Sequence, residues 1–229
     1  MIGVTENLTL ISDLLRQAAV DAGREPESVR LLAVSKKQPV TYIRQAAEAG
    51  QRDFGENFVQ EGLEKIRNLA DLDLTWHFIG HLQSNKTRAV AENFDWVHTI
   101  DTLKIARRLS EQRPEELGPL NVCLQVNVDA EASKSGAPVE AVAGLAEACA
   151  GLPGLRLRGL MCLPEMRTDF EAQRRPFSAL RQLAEGLRAQ GIETDTLSMG
   201  MTGDYRAAIF EGATIVRIGT ALFGERGQE

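Results

Sequence analysis

The sequence predicts a single (βα)8 barrel of the TIM type, and three observations lead to this fold class. The chain has 229 residues, of which 43% are hydrophobic, so it can bury one substantial core. Short apolar or β-branched runs alternate with segments of helical periodicity, which is the pattern of βα units around a parallel sheet. Eight such runs can be counted, which is the strand number of this barrel. We therefore expect one domain over residues 1–229.

The predicted strands are short and spread along the whole chain. They cover residues 30–35, 53–55, 75–79, 96–99, 121–128, 155–160, 196–199 and 214–218. Helical periodicity lies between them: Phe177, Leu180 and Leu187 recur on one face, and Gly191 can end that helix in a left-handed conformation. Pro138 suits the first turn of another helix, where its missing amide costs nothing.

Composition argues against several classes of protein. The formal net charge is -6, with 26 basic residues spread among 32 acidic ones, so we expect no nucleic-acid surface. The start of the chain is amphipathic, with Ile11, Leu14 and Leu15, and neither a signal peptide nor a membrane span is expected. Three cysteines without a pattern indicate neither a disulfide framework nor a metal site, so we expect a cytoplasmic protein.

The chemistry of such a barrel sits at the C-terminal ends of its strands, and a phosphate is often held after strands seven and eight. Lys36 ends the first apolar run, residues 198–203 follow the seventh, and Gly219 and Thr220 follow the eighth. Glycines let backbone amides approach an anion, while a partly desolvated lysine can supply a neutral amine that attacks an aldehyde. Neighbouring Lys37 is either a nearby cation or a solvated side chain. An amine beside an anion site points to pyridoxal phosphate.

Several stretches, in matching order, resemble one family. They are Leu31-Leu-Ala-Val-Ser-Lys36, Phe54-Gly-Glu-Asn57, Trp76-His-Phe-Ile-Gly-His-Leu-Gln83, Ser133-Lys-Ser-Gly136, Gly159-Leu-Met161 and Val216-Arg-Ile-Gly-Thr220. The chain resembles the YggS/PROSC family, the pyridoxal phosphate homeostasis proteins, from about its first strand to Gly224. The resemblance implies a barrel similar to the N-terminal domain of alanine racemase, of fold type III, without the C-terminal β domain of that enzyme.

The resemblance also implies a cofactor site. It places pyridoxal 5′-phosphate as a Schiff base on Lys36, with Arg217 near the pyridine nitrogen. The other implied contacts are the phosphate ligands Ser198, Gly200, Gly219 and Thr220, and the ring-pocket residues Asn57 and Met161. A guanidinium only donates hydrogen bonds, so a pyridine nitrogen bound to Arg217 must be an unprotonated acceptor. Alternative roles remain open: Arg217 could form a salt bridge in the barrel mouth, and Asn57 could cap the following helix.

Three further features have two interpretations each. His77 and His81 lack a third ligand at metal spacing, so His77 is expected to be a satisfied core imidazole and no metal is expected. Lys134 is either an exposed loop lysine or a transient carrier of the aldehyde. Where relatives have an acid-rich helix start after the phosphate loop, this chain has Tyr205 and Arg206, which predicts a more positive charge beside that loop.

A reactive lysine at position 36 is compatible with three functional classes of protein. The first is a non-catalytic carrier that buffers or delivers the cofactor within vitamin B6 and amino-acid balance, as the resemblance implies. The second is an amino-acid racemase, which needs a second acid/base that neither Tyr42 nor Tyr205 is placed to supply. The third is a lysine-dependent aldolase, for which Lys36 lies too near the strand end. We favour the carrier, acting as a monomer, with other B6 vitamers and cofactor-dependent apo-enzymes as candidate partners.

Overall fold

A computed structural model of the protein describes residues 3–131 and 135–224. Eight parallel strands form a closed barrel in which each strand pairs with its neighbour in sequence and the last pairs with the first. The strands are β1 (Arg30–Val34), β2 (Asp53–Glu56), β3 (Thr75–Phe78), β4 (Trp96–Ile100), β5 (Leu120–Gln125), β6 (Leu155–Met161), β7 (Thr196–Ser198) and β8 (Ile215–Ile218). The predicted fold class is therefore confirmed.

Helices surround the barrel and pack their apolar faces on it. In the described part of the chain they are α1 (Val4–Asp21), α2 (Val40–Glu48), α3 (Val59–Asn68), α4 (Thr87–Asn93), α5 (Leu103–Gln112), α6 (Val142–Ala150), α7 (Phe170–Ala189), α8 (Tyr205–Phe210) and α9 (Thr220–Phe223). The α7 prediction is confirmed, since Phe177, Leu180 and Leu187 are buried and Gly191 has a φ of +82°. Pro138 lies just before a 3-10 turn that precedes α6, rather than in the first turn of α6 itself.

Four predicted strands run too far at their C-terminal ends. β1 ends at Val34, β3 at Phe78 and β7 at Ser198, each one residue before the predicted end, and β5 ends at Gln125 rather than at residue 128. Beyond Gln125 the chain leaves the barrel, because Val126 forms an isolated bridge with Ala137 and the Asn127 amide donates to the Ala137 carbonyl. The apolar sequence over 126–128 therefore belongs to a loop contact and not to the sheet.

The interior of the barrel is filled by side chains from alternate strand positions. One apolar cluster contains Leu32, Ile79 and Ile215, and another contains Trp96, Cys123 and Met161. Each cluster reaches the C-terminal end of a strand, through Ile79 just after β3 and through Met161 at the end of β6. Within the described ranges, no helix combines the length and the apolar character needed to cross a membrane.

Candidate functional site

A pocket opens at the C-terminal mouth of the barrel and brings together residues that are far apart in sequence. It is lined by Val34, Lys36, Gln38, Asn57, Ile79, Met161, Leu163, Met201, Thr202, Arg217, Gly219 and Thr220. Six of the eight predicted site residues are among them. The two that do not line this pocket are Ser198 and Gly200.

Lys36 lies two residues beyond the end of β1, and its half-buried side chain lines the pocket. Its neighbour Lys37 is exposed, adopts a left-handed backbone conformation with a φ of 59°, and does not line the pocket. Of the two roles predicted for Lys37, a nearby cation or a solvated side chain, its exposure supports the solvated side chain. This pair offers a matched comparison of two adjacent amines.

A buried charge cluster lies directly behind Lys36. Lys65 is only 4% exposed, and its Nζ donates to the Ser35 carbonyl at 2.6 Å, to Glu56 Oε1 at 2.8 Å and to Glu61 Oε1 at 2.6 Å. Ser35 Oγ also donates to Glu56, and the Lys37 amide donates to Glu61. Burial raises the pKa of Glu56, and Lys65 opposes that rise. The cluster therefore fixes the backbone on both sides of Lys36.

Arg217 is buried, and its guanidinium points across the barrel. Its Nη1 donates to the Ser198 carbonyl at 2.7 Å and to Ser198 Oγ at 2.8 Å, and its Nη2 donates to the Cys162 carbonyl at 2.8 Å. These bonds use three of the five N–H donors of a guanidinium. The alternative of a salt bridge in the barrel mouth is wrong for the described residues, where no carboxylate lies within ion-pair distance of Arg217.

Ser198 and Gly200 have different surroundings from those that a phosphate contact predicts. Ser198 Oγ is fully buried and is bonded to Arg217 and to His98 Nδ1 at 2.8 Å. Gly200 has a φ of +94°, and a Cβ at this position would lie 2.6 Å from that of Ala208. Its carbonyl accepts from the Arg217 amide at 2.9 Å. Both residues thus hold Arg217 and the loop rather than line the pocket.

Asn57 carries the clearest sign of an absent partner. Its Oδ1 is buried and makes no hydrogen bond, although the side chain lines the pocket. A donor would satisfy this oxygen, and an acceptor would satisfy the amide if the two atoms were exchanged. The alternative role of Asn57 as a helix cap is wrong, because Phe58 is the N-cap residue of α3.

Sequence reasoning missed Gln38 as a pocket residue, and it included Met201 and Thr202 only within the segment 198–203, without naming them as contacts. Each lies three or four residues beyond the end of a strand, at the level of the rim, whereas Ser198 is the last residue of β7 and points into the barrel. The sequence did contain a signal for these residues, because residues that line the rim lie further beyond the strand end than residues that point into the barrel. Lys134, the candidate carrier lysine, lies outside the described residues.

Two charged residues, Asp204 and Arg206, lie beside the loop after β7. Arg206 is exposed and directed to Asp21 of α1 at 3.4 Å, so it does not line the pocket. The nearer charge is Asp204, whose Oδ1 accepts from the Met201 amide at 2.6 Å. Burial raises the pKa of Asp204, while the Met201 amide and Arg217 favour its ionised form. Arg206 therefore adds no charge to the pocket lining, and a loop more positive than that of relatives stays a prediction.

His77 is a satisfied core imidazole, as predicted. Its Nε2 lies 3.0 Å from Asp53 Oδ1 and its Nδ1 lies 2.9 Å from His98 Nε2, while His81 is exposed at the rim. Within residues 3–131 and 135–224, no group of three or more His, Cys, Asp or Glu side chains could hold a metal ion. His77 and His98 thus belong to the interior of the barrel, and His81 belongs to its rim.

Both buried histidines should make the protein less stable in acid. Burial lowers the pKa of His77, and burial, His77 and Arg217 hold the pKa of His98 well below its usual value. Below about pH 6.5 the unfolded chain binds a proton at each imidazole, whereas burial in the folded chain disfavours the protonated imidazoles. This stability is present above pH 6.5 and is lost toward pH 5, at up to about 1.4 kcal/mol per pH unit for each imidazole that stays unprotonated in the folded chain.

Urea unfolding between pH 7.5 and pH 5 measures this loss. Replacing His98 with Gln should make the fall in the free energy of unfolding less steep, and His81→Gln is the matched control that should leave the slope unchanged. Equal slopes in all three proteins would contradict the expected protonation states.

Comparisons with known proteins show which family the chain is related to. The family model described as "Alanine racemase, N-terminal domain" matches residues 15–227. A protein of Pseudomonas aeruginosa named "Pyridoxal phosphate homeostasis protein" is 58% identical over 223 residues, covering 97% of this chain and 96% of its own. A protein of the same name from Escherichia coli strain K12 is 52% identical, with 97% of each chain covered.

Solved structures agree with the barrel. PipY of Synechococcus elongatus, described as a COG0325 family member with PLP bound, superposes with a TM-score of 0.81 at 39% identity, covering 91% of this chain and 98% of that one. Alanine racemase from Corynebacterium glutamicum superposes with a TM-score of 0.73 at 17% identity, covering 99% of this chain and 62% of that one. The second likeness concerns the fold alone.

Proposed function

Because the chain belongs to the alanine racemase N-terminal domain family and, within it, to the pyridoxal phosphate homeostasis proteins, we propose that it binds pyridoxal 5′-phosphate in the mouth pocket for vitamin B6 homeostasis. The observation that carries the proposal is the convergence of Lys36, Arg217 and the Gly219-Thr220 turn on one pocket. When bound, the cofactor supplies an aldehyde that condenses reversibly with an amine.

Each part of the pocket matches one part of this cofactor. Lys36 provides the amine for a Schiff base, and the buried cluster behind it fixes the backbone on either side. The Gly219-Thr220 turn opens α9, where the first amides have no partner within the helix, so it suits a phosphate. Arg217 retains donors for the pyridine nitrogen, and Asn57 has an unsatisfied oxygen for a polar atom of the ring. Met161 and Ile79 provide apolar contacts.

We propose that the protein buffers or delivers the cofactor without turnover. A ring nitrogen that accepts from Arg217 stays unprotonated, which makes the ring a poor electron sink. Racemisation also needs a second acid/base, and neither Tyr42 nor Tyr205 lines the pocket. Incubation of the loaded protein with a panel of L-amino acids should give no D-enantiomer above a Lys36→Ala control. Racemisation above that control would favour the racemase alternative instead.

Spectral titration with pyridoxal 5′-phosphate tests the site. The wild type should acquire a visible band that is lost in Lys36→Ala, because the band depends on the covalent bond to this amine. Lys37→Ala is the matched control, and it should retain the band because Lys37 is exposed and outside the pocket. An equal band in Lys36→Ala would contradict the assignment.

We also propose a cellular location and an oligomeric state for the protein. Its three cysteines are buried and unpaired, and burial raises the pKa of Cys123 and Cys162 to about 12 and that of Cys149 to about 11. Such thiols resist oxidation and suit a reducing cytoplasm. We propose a single-domain monomer over residues 1–229 that also accepts other B6 vitamers and passes cofactor to apo-enzymes.

A further inference from the structure

A row of hydrogen bonds crosses the interior of the barrel, from the mouth pocket to the opposite end of the barrel. Arg217 Nη1 lies 2.8 Å from Ser198 Oγ, which lies 2.8 Å from His98 Nδ1. His98 Nε2 lies 2.9 Å from His77 Nδ1, and His77 Nε2 lies 3.0 Å from Asp53 Oδ1. Five strands contribute one residue each, namely β8, β7, β4, β3 and β2. We call these five residues the interior chain.

The two ends of the interior chain fix the direction of every bond in it. Arg217 can only donate, so Ser198 Oγ accepts there and has its own proton for His98 Nδ1. A carboxylate at Asp53 can only accept hydrogen bonds, so His77 carries its proton on Nε2. His77 Nδ1 then accepts a hydrogen bond from His98 Nε2. Both imidazoles are then neutral and carry their proton on Nε2. No donor faces another donor in this arrangement.

The interior chain also connects the buried positive charge of Arg217 to a carboxylate. Arg217 is 4% exposed, and among the described residues no carboxylate forms an ion pair with it. A buried cation without a partner is costly. Asp53 is a carboxylate at the far end of the row, where its Oδ1 also pairs with Arg30 Nη1 at 3.4 Å, and bonds that point the same way polarise one another. Burial lowers the pKa of Arg217 and the Asp204 carboxylate raises it, and the interior chain links Arg217 to Asp53 as a second carboxylate through three intervening side chains.

We propose that Ser198, His98, His77 and Asp53 are positioning residues that hold Arg217 as an oriented donor for the ligand in the mouth pocket. The inference rests on the proposed function, because the ligand that Arg217 meets is taken to be pyridoxal 5′-phosphate. It gives Ser198 a role through Arg217 instead of a contact with the phosphate.

The effects of substitutions should decrease with distance from Arg217. Ser198→Ala removes the hydroxyl that Arg217 contacts and should weaken cofactor binding about 10-fold, the scale of one hydrogen bond. Asp53→Asn keeps the shape but removes the charge at the remote end, and it should weaken binding roughly 3-fold. Asp71→Asn is the control: Asp71 also pairs with an arginine, Arg44, but it is exposed and is not bonded to the interior chain.

The proton positions can be measured without any ligand. In 15N-histidine NMR of the wild type at neutral pH, His77 and His98 should each show a protonated Nε2 and an unprotonated Nδ1. The sequence has three histidines, so His81→Gln assigns the exposed one by its loss. In Asp53→Asn, the His77 signals should move toward a mixture of the two neutral forms.

Two results would overturn the inference. One is a proton on Nδ1 of His98 in the wild type, because the hydroxyl of Ser198 would then have no acceptor there. The other is an unchanged affinity in both Ser198→Ala and Asp53→Asn relative to Asp71→Asn. Failure of the wild type to bind pyridoxal 5′-phosphate would instead overturn the proposed function, while leaving the NMR result to decide the proton positions.

Discussion

Replacing Arg217 with Gln should weaken binding of pyridoxal 5′-phosphate by roughly 10- to 100-fold, because a hydrogen bond from a charged donor contributes about 1.5–3 kcal/mol. The spectrum of the bound cofactor should also change. Gln can accept as well as donate, so the ring nitrogen is no longer required to stay unprotonated. Spectral titration at several pH values measures both the affinity and the protonation of the ring.

The fold should survive this substitution. Arg217→Gln leaves the carbonyls of Ser198 and Cys162 with fewer donors, but it also removes a buried charge. Arg156→Gln is the control, since Arg156 is an exposed arginine at the opposite end of the barrel from the mouth pocket. An affinity and spectrum in Arg217→Gln that match those of Arg156→Gln would contradict the contact between Arg217 and the ring.

Replacing Lys65 with Met should lower the free energy of unfolding by about 3 kcal/mol, because it leaves a buried carboxylate without its cation. Glu56 is fully buried, and its Oε2 already lacks a hydrogen-bond partner. The Ser35 carbonyl would lose a donor at the same time. Cofactor binding should also weaken, since the cluster fixes the backbone beside Lys36. Urea unfolding and spectral titration measure the two effects.

Two further variants separate charge from packing at this cluster. The double variant Lys65→Met with Glu56→Gln should recover much of the lost stability, because no unpaired charge then remains buried. Lys104→Met replaces an exposed lysine on α5 and should change the stability by less than about 0.5 kcal/mol. A loss in Lys65→Met as small as that in Lys104→Met would mean that the cluster contributes little.

The barrel could be predicted from sequence because most of its strands are short runs rich in apolar residues between turn signals. Such runs locate strands well but not their ends. Val126 and Val128 extended the prediction for β5, although Val126 bridges Ala137 in a loop. Whether a residue belongs to the sheet depends on a partner that a local pattern does not reveal.

The site was predictable only in part, for a related reason. Lys36, Arg217 and Gly219 stand directly after or within strands, so the barrel rule brings them to the mouth. Ser198 obeys the same rule, yet its hydroxyl is held by His98, which is 100 residues away in sequence. The interior chain depends on the register of five strands, and no local motif encodes that register.

Reductive trapping tests the central claim most directly. The protein is loaded with pyridoxal 5′-phosphate, treated with borohydride, digested, and analysed by mass spectrometry beside Lys36→Ala and Lys37→Ala. We expect a single adduct on the peptide that contains Lys36, present in the wild type and in Lys37→Ala and absent from Lys36→Ala. An adduct of equal abundance in Lys36→Ala, or one located on another lysine of the wild type, would show that the mouth pocket does not hold the cofactor as proposed.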